Sequence, residues 1–233
     1  MSIADNIARV RQAIAQAATT AGRAAADVQL LAVSKTFGPD AVIEAAHAGQ
    51  LAFGENYLQE ALDKMQAVRE QQPDLSLAWH FIGPIQSNKT RPIAEHFDWV
   101  HSVDREKIAQ RLSDQRPDSL PPLNICLQVN VSGEDSKSGV APEDVLPLAK
   151  SIAGLPRLRL RGLMAIPEPA ETLEAQRPPF RALRELQAQL AAQGIVTDTL
   201  SMGMSADMAA AIAEGATIVR VGTAIFGKRD YAK

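Results

Sequence analysis

The sequence has few aromatic residues, a single cysteine and no excess of positive charge. Aromatic residues make up 4% of its 233 residues, too few for the stacked rings on which single-stranded nucleic acids bind. The net charge is −3, and no basic cluster is present, so a phosphate-backbone partner is not expected. Cys126 has no second cysteine with which to pair, which fits a reducing compartment.

Long hydrophobic runs are also missing. Residues 1–16 alternate apolar with charged residues and lack the apolar core of a signal peptide. No apolar stretch approaches the roughly 20 residues that cross a bilayer as a helix. The four histidines show no ligand spacing with Cys, Asp or Glu, so a metal site is not expected. These features predict a soluble, cytoplasmic protein without a membrane or nucleic-acid partner.

Short apolar segments alternate with segments of helical periodicity along the whole chain. Strict βα alternation predicts a parallel sheet, and eight units favour a closed TIM-type (β/α)8 barrel over a doubly wound open sheet. No linker rich in Gly or Ser interrupts the pattern, so residues 1–233 are expected to form a single domain. The predicted strands cover residues 30–36, 51–54, 80–83, 98–101, 123–129, 160–166, 199–202 and 217–221.

Several helix boundaries can also be predicted. Apolar residues recur at helical spacing between Ile3 and Ile14, so an extra N-terminal helix, capped by Ser2, precedes the first strand. Pro178 and Pro179 are expected in a connection, with a helix over residues 180–193 after them. The last predicted helix runs over residues 205–214.

Lys35 ends the first predicted strand, and functional groups of parallel barrels lie at the carboxyl ends of strands. An ammonium beside a buried apolar run is costly unless it is paired or loses its proton, and a neutral lysine forms Schiff bases with carbonyl compounds. The alternative is that Lys35 only extends into solvent. Asn56 follows the second predicted strand, and Lys137 is a further candidate cation after the fifth.

Two segments near the C-terminus have the character of a phosphate site. Met204 and Ser205 lie where a predicted strand turns into a helix, and exposed N–H groups at such turns bind anions. Gly222 and Thr223 follow the last strand, where barrels often bind phosphate. Ser205 could equally be a helix cap and Gly222 a turn residue, and both roles use the same N–H groups.

A nucleophilic lysine near a phosphate site leaves two candidates. One is a Schiff-base aldolase acting on a sugar phosphate, and the other is a protein that holds pyridoxal 5′-phosphate as a lysine aldimine. Arg220, at the end of the last strand, favours the second, because it could face the pyridine nitrogen of that cofactor.

Seven segments, in order along nearly the whole chain, resemble the pyridoxal phosphate homeostasis protein family. The resemblance implies a barrel similar to the N-terminal domain of alanine racemase, an aldimine on Lys35, and Arg220 facing the pyridine nitrogen. It also implies that Ser205, Gly222 and Thr223 hold the phosphate, with Met204 beside them, and that Asn56 lines the ring pocket. The segments are LLAVSKT (30–36), FGENY (53–57), WHFIG (79–83), QSNK (86–89), GLM (162–164), LSMGMS (200–205) and VRVGTAIFG (219–227).

The resemblance further implies a function without strong catalysis. Family members are regarded as regulators or carriers of pyridoxal phosphate, so pyridoxal phosphate-dependent apo-enzymes are candidate partners. The uninterrupted βα alternation without a linker predicts a monomer or a weak dimer, with the monomer favoured. An arginine at the ring nitrogen disfavours its protonation and weakens the electron sink that amino-acid chemistry requires. Alanine racemase shares that arginine and adds a second acid/base residue from a partner chain. The alternative function is therefore an amino-acid racemase of low activity.

Overall fold

The computed structural model describes residues 1–133 and 138–228. Eight parallel strands form a closed barrel in sequence order. Residues 29–32 of the first strand pair with residues 218–221 of the last, which closes the barrel and excludes the open sheet. The strands are β1 Gln29–Val33, β2 Ala52–Glu55, β3 Ala78–Phe81, β4 Trp99–Val103, β5 Leu123–Gln128, β6 Leu158–Met164, β7 Thr199–Ser201 and β8 Ile218–Val221.

Helices surround this barrel, and each connection between consecutive strands contains one. The bounds of the helices are α1 Ile3–Thr20, α2 Pro39–His47, α3 Leu58–Gln71, α4 Thr90–His96, α5 Glu106–Gln115, α6 Val145–Ile152, α7 Leu173–Ala192, α8 Met208–Ala213 and the short α9 Thr223–Phe226. No described helix is both long and apolar enough to cross a bilayer.

The N-terminal helix α1 is an integral part of this ring. Ser2 caps it as predicted, because the Ser2 hydroxyl accepts from the Asp5 N–H while the Asp5 carboxylate accepts from the Ser2 N–H. Ile7, Val10 and Ile14 are buried. The helix packs against α8, α9 and α2. In the part of the chain that the structure describes, β8 is followed by the single turn of α9, and α1 covers the outside of the barrel where an eighth crossover helix would lie.

The structure corrects the prediction for α7. The helix begins at Leu173 rather than at residue 180 and runs through Pro178 and Pro179. Thr172 starts it, because its hydroxyl accepts from the Ala175 N–H. A proline matches the helical φ and costs one N–H bond. The same turn carries an ion pair between Arg177 Nε and the buried Glu214 carboxylate at 2.7 Å, which attaches α7 to the end of α8.

The prediction that a helix begins at Ser205 is also wrong. Residues 204–207 form a turn, and α8 begins at Met208. Gly203 has a φ of +97°, which turns the chain sharply. The Asp207 carboxylate then accepts from the Met204 N–H at 2.6 Å. This local hydrogen bond competes with the helix, as Asp side chains commonly do.

Apolar residues fill two regions. The larger cluster lies between the strands and the helices. A smaller cluster, which includes Leu31, Val33, Ala52, Ile82 and Ile218, involves the opposite faces of the strands and so fills the barrel interior. The remaining interior positions carry polar side chains, which belong to the candidate site.

Candidate functional site

Lys35 lies two residues beyond the end of β1 and is half-buried. The turn after β8 packs directly against this strand end, because a Cβ added to Gly222 would lie 3.1 Å from the Val33 carbonyl oxygen. Beyond Lys35, the ring of Phe37 stacks on Phe226 of α9 with centroids 5.2 Å apart. The Lys35 loop and the Gly222 turn are therefore neighbours at the carboxyl end of the barrel.

The predicted phosphate residues meet at the same end. The Arg220 N–H donates to the Gly203 carbonyl at 2.9 Å, which ties the turn after β7 to the end of β8. Ser205, Val221 and Ala224 line a cavity of about 410 Å³ whose remaining wall is formed by Met208 and by residues of α1, so this cavity lies beside α1 and does not include Gly222 or Thr223. The backbone N–H groups of Ser205, Gly222 and Thr223 donate no hydrogen bond within the described residues. These donors suit a phosphate, since anions bind where backbone N–H groups converge.

Asn56 follows β2 and carries an unpartnered polar atom. Its side-chain Oδ1 is buried and accepts no hydrogen bond from the described residues. Its backbone is held closely, because a Cβ on Gly83 would lie 2.3 Å from the Asn56 carbonyl oxygen. Buried polar atoms nearly always have a partner, so a bound molecule that donates to this oxygen fits here.

Arg220 is buried inside the barrel. Its Nη1 donates to Ser201 Oγ at 2.8 Å and its Nη2 to the Ala165 carbonyl at 3.0 Å. Burial lowers the pKa of the guanidinium to about 10, so Arg220 remains a cation at neutral pH. Its Nε donates no hydrogen bond within the described part of the chain, which leaves a donor for a ligand.

A chain of hydrogen bonds extends from Arg220 across the barrel interior. Ser201 Oγ lies 2.7 Å from His101 Nδ1, and His101 Nε2 lies 2.8 Å from His80 Nδ1. Burial lowers the pKa of His80 to about 3. Burial also lowers the pKa of His101 well below its ordinary value, with smaller contributions from His80 and Arg220. Both imidazoles are therefore neutral, and the positive charge in this series of hydrogen-bonded side chains is that of Arg220.

A second polar cluster lies on the outer side of β1 and β2, against α3. We call Ser34, Glu55, Glu60 and Lys64 the Lys64 cluster. Lys64 Nζ donates to the Ser34 carbonyl at 2.8 Å, to Glu55 Oε1 at 2.6 Å and to Glu60 Oε1 at 3.0 Å. Ser34 Oγ donates to the same Glu55 oxygen at 2.5 Å. Burial raises the pKa of the Glu55 carboxyl, opposed by Lys64 and the Ser34 hydroxyl.

The sequence analysis missed two polar clusters, namely the hydrogen-bonded residues between Arg220 and His80 and the Lys64 cluster. The sequence nevertheless contains signals for both. Lys64 falls on the same face of α3 as Ala61, Met65 and Val68, so helical spacing alone places it on the buried side. The His101 side chain lies inside the barrel, hydrogen-bonded to Ser201. Strand parity predicts which face it occupies, but not which strand holds its partner.

The predicted site residues lie on four consecutive strands of the barrel. Lys35 follows β1, Asn56 follows β2, Ser205 follows β7, and Arg220 lies in the adjoining β8, one residue before its end. Met204 is 42% exposed. Lys137 lies outside the described residues. Together the site offers an amine, a buried cation, an amide oxygen and unused backbone N–H groups, and this set fits a phosphorylated carbonyl compound with an aromatic ring nitrogen.

Comparison with known proteins places the fold and the family. The family described as "Alanine racemase, N-terminal domain" matches residues 3–230. The pyridoxal phosphate homeostasis protein of Pseudomonas aeruginosa is 65% identical over 230 residues, covering 99% of this chain and 97% of that protein. The structure of PipY from Synechococcus elongatus with pyridoxal phosphate bound superposes with a TM-score of 0.83. It is 38% identical and covers 97% of this chain and 100% of PipY.

A more distant structure shares the fold alone. Alanine racemase from Corynebacterium glutamicum has a TM-score of 0.68 and is 18% identical. The match covers 99% of this chain but 62% of the racemase chain.

Proposed function

The chain belongs to the pyridoxal phosphate homeostasis protein family, and from this we propose that it binds pyridoxal 5′-phosphate covalently at Lys35 and acts in the homeostasis of that cofactor. Neutral Lys35 Nζ adds to the aldehyde carbon of the cofactor. A C=N bond forms, and the carbonyl oxygen leaves as water with both amine hydrogens. The observation that supports the proposal is the contact between the end of β1 and the Gly222 turn, which makes the backbone that carries Lys35 a neighbour of the proposed phosphate donors.

The other site residues have distinct roles in this proposal. Ser205, Gly222 and Thr223 hold the phosphate, with Met204 beside them, while Asn56 lines the ring pocket. Arg220 faces the pyridine nitrogen and keeps it unprotonated. When bound, the cofactor supplies an electron sink, and Arg220 weakens it. We therefore assign the chain to cofactor storage and transfer rather than to strong catalysis, as a cytoplasmic monomer that donates to apo-enzymes.

Chemical trapping tests the assignment of Lys35. Purified protein loaded with pyridoxal phosphate is reduced with borohydride, digested, and mapped by mass spectrometry. We expect the reduced cofactor on the peptide that contains Lys35, and pyridoxine phosphate, which has no aldehyde, should leave no label. A label confined to another lysine, or no label at all, contradicts the proposal.

Ser205→Ala tests the phosphate site. The variant loses one charge-assisted hydrogen bond, so we expect affinity for pyridoxal phosphate to fall on the order of tenfold. Affinity for pyridoxal, which has no phosphate, should not change. Ser151→Ala is a matched control, because the Ser151 hydroxyl is exposed and bonds only within its own helix, to the Leu148 carbonyl. Equal losses for both ligands would place Ser205 outside the phosphate site.

Arg220→Glu tests the alternative of a weak racemase. An anion at the pyridine nitrogen favours ring protonation, so the bound cofactor should change its absorbance spectrum. Its reactions with amino acids, including proton loss and return at the α-carbon of alanine, should become faster. Bound cofactor should fall only moderately, because Lys35 and the phosphate donors remain. Arg220→Gln, which is neutral, controls for the lost bonds to Ser201 and Ala165. An unchanged spectrum and reactivity would show that Arg220 does not contact the ring.

A further inference from the structure

We propose that the Lys64 cluster positions Lys35, so that Ser34, Glu55, Glu60 and Lys64 set the rate at which this lysine captures pyridoxal phosphate. The inference rests on the proposed function. It assigns a role to a set of charges, centred on the buried Lys64–Glu55 pair, that no part of the cofactor site explains.

The cluster anchors the backbone on both sides of Lys35. Before it, Ser34 donates its hydroxyl proton to Glu55 and accepts at its carbonyl from Lys64. After it, the Thr36 N–H donates to Glu60 Oε1 at 2.6 Å. The Lys64 ammonium joins the two anchors, because it contacts both carboxylates. Lys35 is thus the central residue of a three-residue segment that is bound to Lys64 directly at the Ser34 end and through Glu60 at the Thr36 end.

Thr36 shows that this segment is held against a local preference. Its φ is +70°, a conformation that β-branched residues rarely adopt because the side chain meets the backbone. The hydrogen bond from its N–H to Glu60 keeps the segment in this state. When that bond weakens, the chain can relax at Thr36, and the direction of the neighbouring Lys35 side chain changes with it.

Stability alone does not account for the cluster. Glu55 is fully buried and Lys64 is 3% exposed at the side chain, and a buried ion pair generally stabilises a protein no more than well-packed apolar residues of the same volume. Glu55 Oε2 is also buried without a partner among the described residues, an arrangement that a purely structural pair would not need. The cluster fixes one backbone geometry on both sides of Lys35, and positioning this lysine is therefore the function that we assign to it.

Two single variants separate positioning from charge. Glu55→Gln removes an anion near Lys35, which favours the neutral amine and would speed capture if charge alone mattered. Lys64→Met removes a cation, and charge alone would slow capture. Positioning predicts that both variants slow capture, on the order of tenfold to a hundredfold, because a reacting group shifted by about 1 Å loses that much rate. The rate is the growth of bound-cofactor absorbance after mixing with pyridoxal phosphate.

The controls separate positioning from loss of fold. Glu214→Gln removes another buried carboxylate, which pairs with Arg177, Arg181 and Arg184 at the amino-terminal end of β8, away from Lys35. Glu214→Gln should be less stable than the wild type, but it should capture pyridoxal phosphate at the wild-type rate. Ser34→Ala removes one hydrogen bond and no charge, so it remains folded and should slow capture by a smaller factor. Affinity for pyridoxine phosphate, which cannot form a Schiff base, should match the wild type in all variants.

The outcomes are distinct. Slower capture in Glu55→Gln, Lys64→Met and Ser34→Ala with unchanged pyridoxine phosphate binding supports the inference. Wild-type rates in folded Ser34→Ala and Glu55→Gln, or faster capture in Glu55→Gln, overturn it. If the wild-type protein itself forms no reducible adduct at Lys35, the proposed function fails instead.

Discussion

The Lys35→Ala variant is expected to form no adduct that borohydride can reduce to a stable product. It is also expected to release pyridoxal phosphate completely on gel filtration. Covalent attachment requires a neutral amine, and alanine supplies none. The remaining contacts are hydrogen bonds to the phosphate and ring, each worth about 1.5–3 kcal/mol where a charge is involved. They permit a reversible complex, so titration should show weakened binding without the absorbance of an imine.

Two controls identify the amine as the cause. Lys35→Arg keeps the positive charge, but its guanidinium stays protonated and cannot react with the aldehyde. It should therefore behave like Lys35→Ala. Methylamine added to cofactor-loaded Lys35→Ala supplies the missing amine and should restore an imine spectrum that is lost on gel filtration. A reducible adduct on Lys35→Ala itself would assign the covalent site to another lysine.

The closed barrel could be predicted from the sequence because each element carries its own local signal. Buried strands of parallel sheets read as short apolar runs, and the segments between them have helical periodicity. The end of β1 was predicted to within three residues: the predicted strand runs to Thr36, and the observed strand ends at Val33. Since functional groups gather at the carboxyl ends of barrel strands, this accuracy is enough to nominate Lys35, Asn56 and Arg220 as candidate site residues.

The wrong boundaries have local physical causes. Pro178 and Pro179 were expected in the connection before a helix that begins at residue 180, but α7 begins at Leu173 after the Thr172 cap and runs through both prolines. Ser205 was expected to begin a helix, but Asp207 captures the Met204 N–H first. In both cases one side-chain contact outweighs a backbone propensity, and propensities are weak priors in tertiary context.

The pairing of residues within the two polar clusters could not be predicted from the sequence, because the hydrogen bonds join residues far apart in the chain. His101 and Ser201 are 100 positions apart, and Ser34 and Lys64 are 30 apart. Periodicity assigns each side chain to a face of its element, but the pairing of faces needs the assembled barrel. The Lys64 cluster is therefore a property of the fold, and its charge pair yields the largest stability effect that we expect.

Lys64→Met is expected to lower the free energy of unfolding by about 3–5 kcal/mol at neutral pH, because it leaves the Glu55 carboxylate buried without its cation. Urea denaturation measures this directly, and an unchanged m-value indicates that the denatured state is not altered. Glu55→Gln/Lys64→Met is the matched control. It removes both charges, so it should recover much of the lost stability.

The pH dependence of Lys64→Met follows from Glu55. Burial already raises the pKa of this carboxyl in the folded wild type, and loss of Lys64 raises it further, while the unfolded value stays about 4.3. The folded state then binds the proton more tightly than the unfolded state. The contribution of Glu55 to stability is therefore fully present below about pH 4.3, and it is lost as the pH rises through the folded-state pKa. Relative to the wild type, Lys64→Met should be most destabilised at neutral and alkaline pH and should recover as the pH falls. In Glu55→Gln/Lys64→Met this recovery should disappear, and a Lys64→Met deficit that stays the same at every pH would show that Glu55 is not the group left uncompensated.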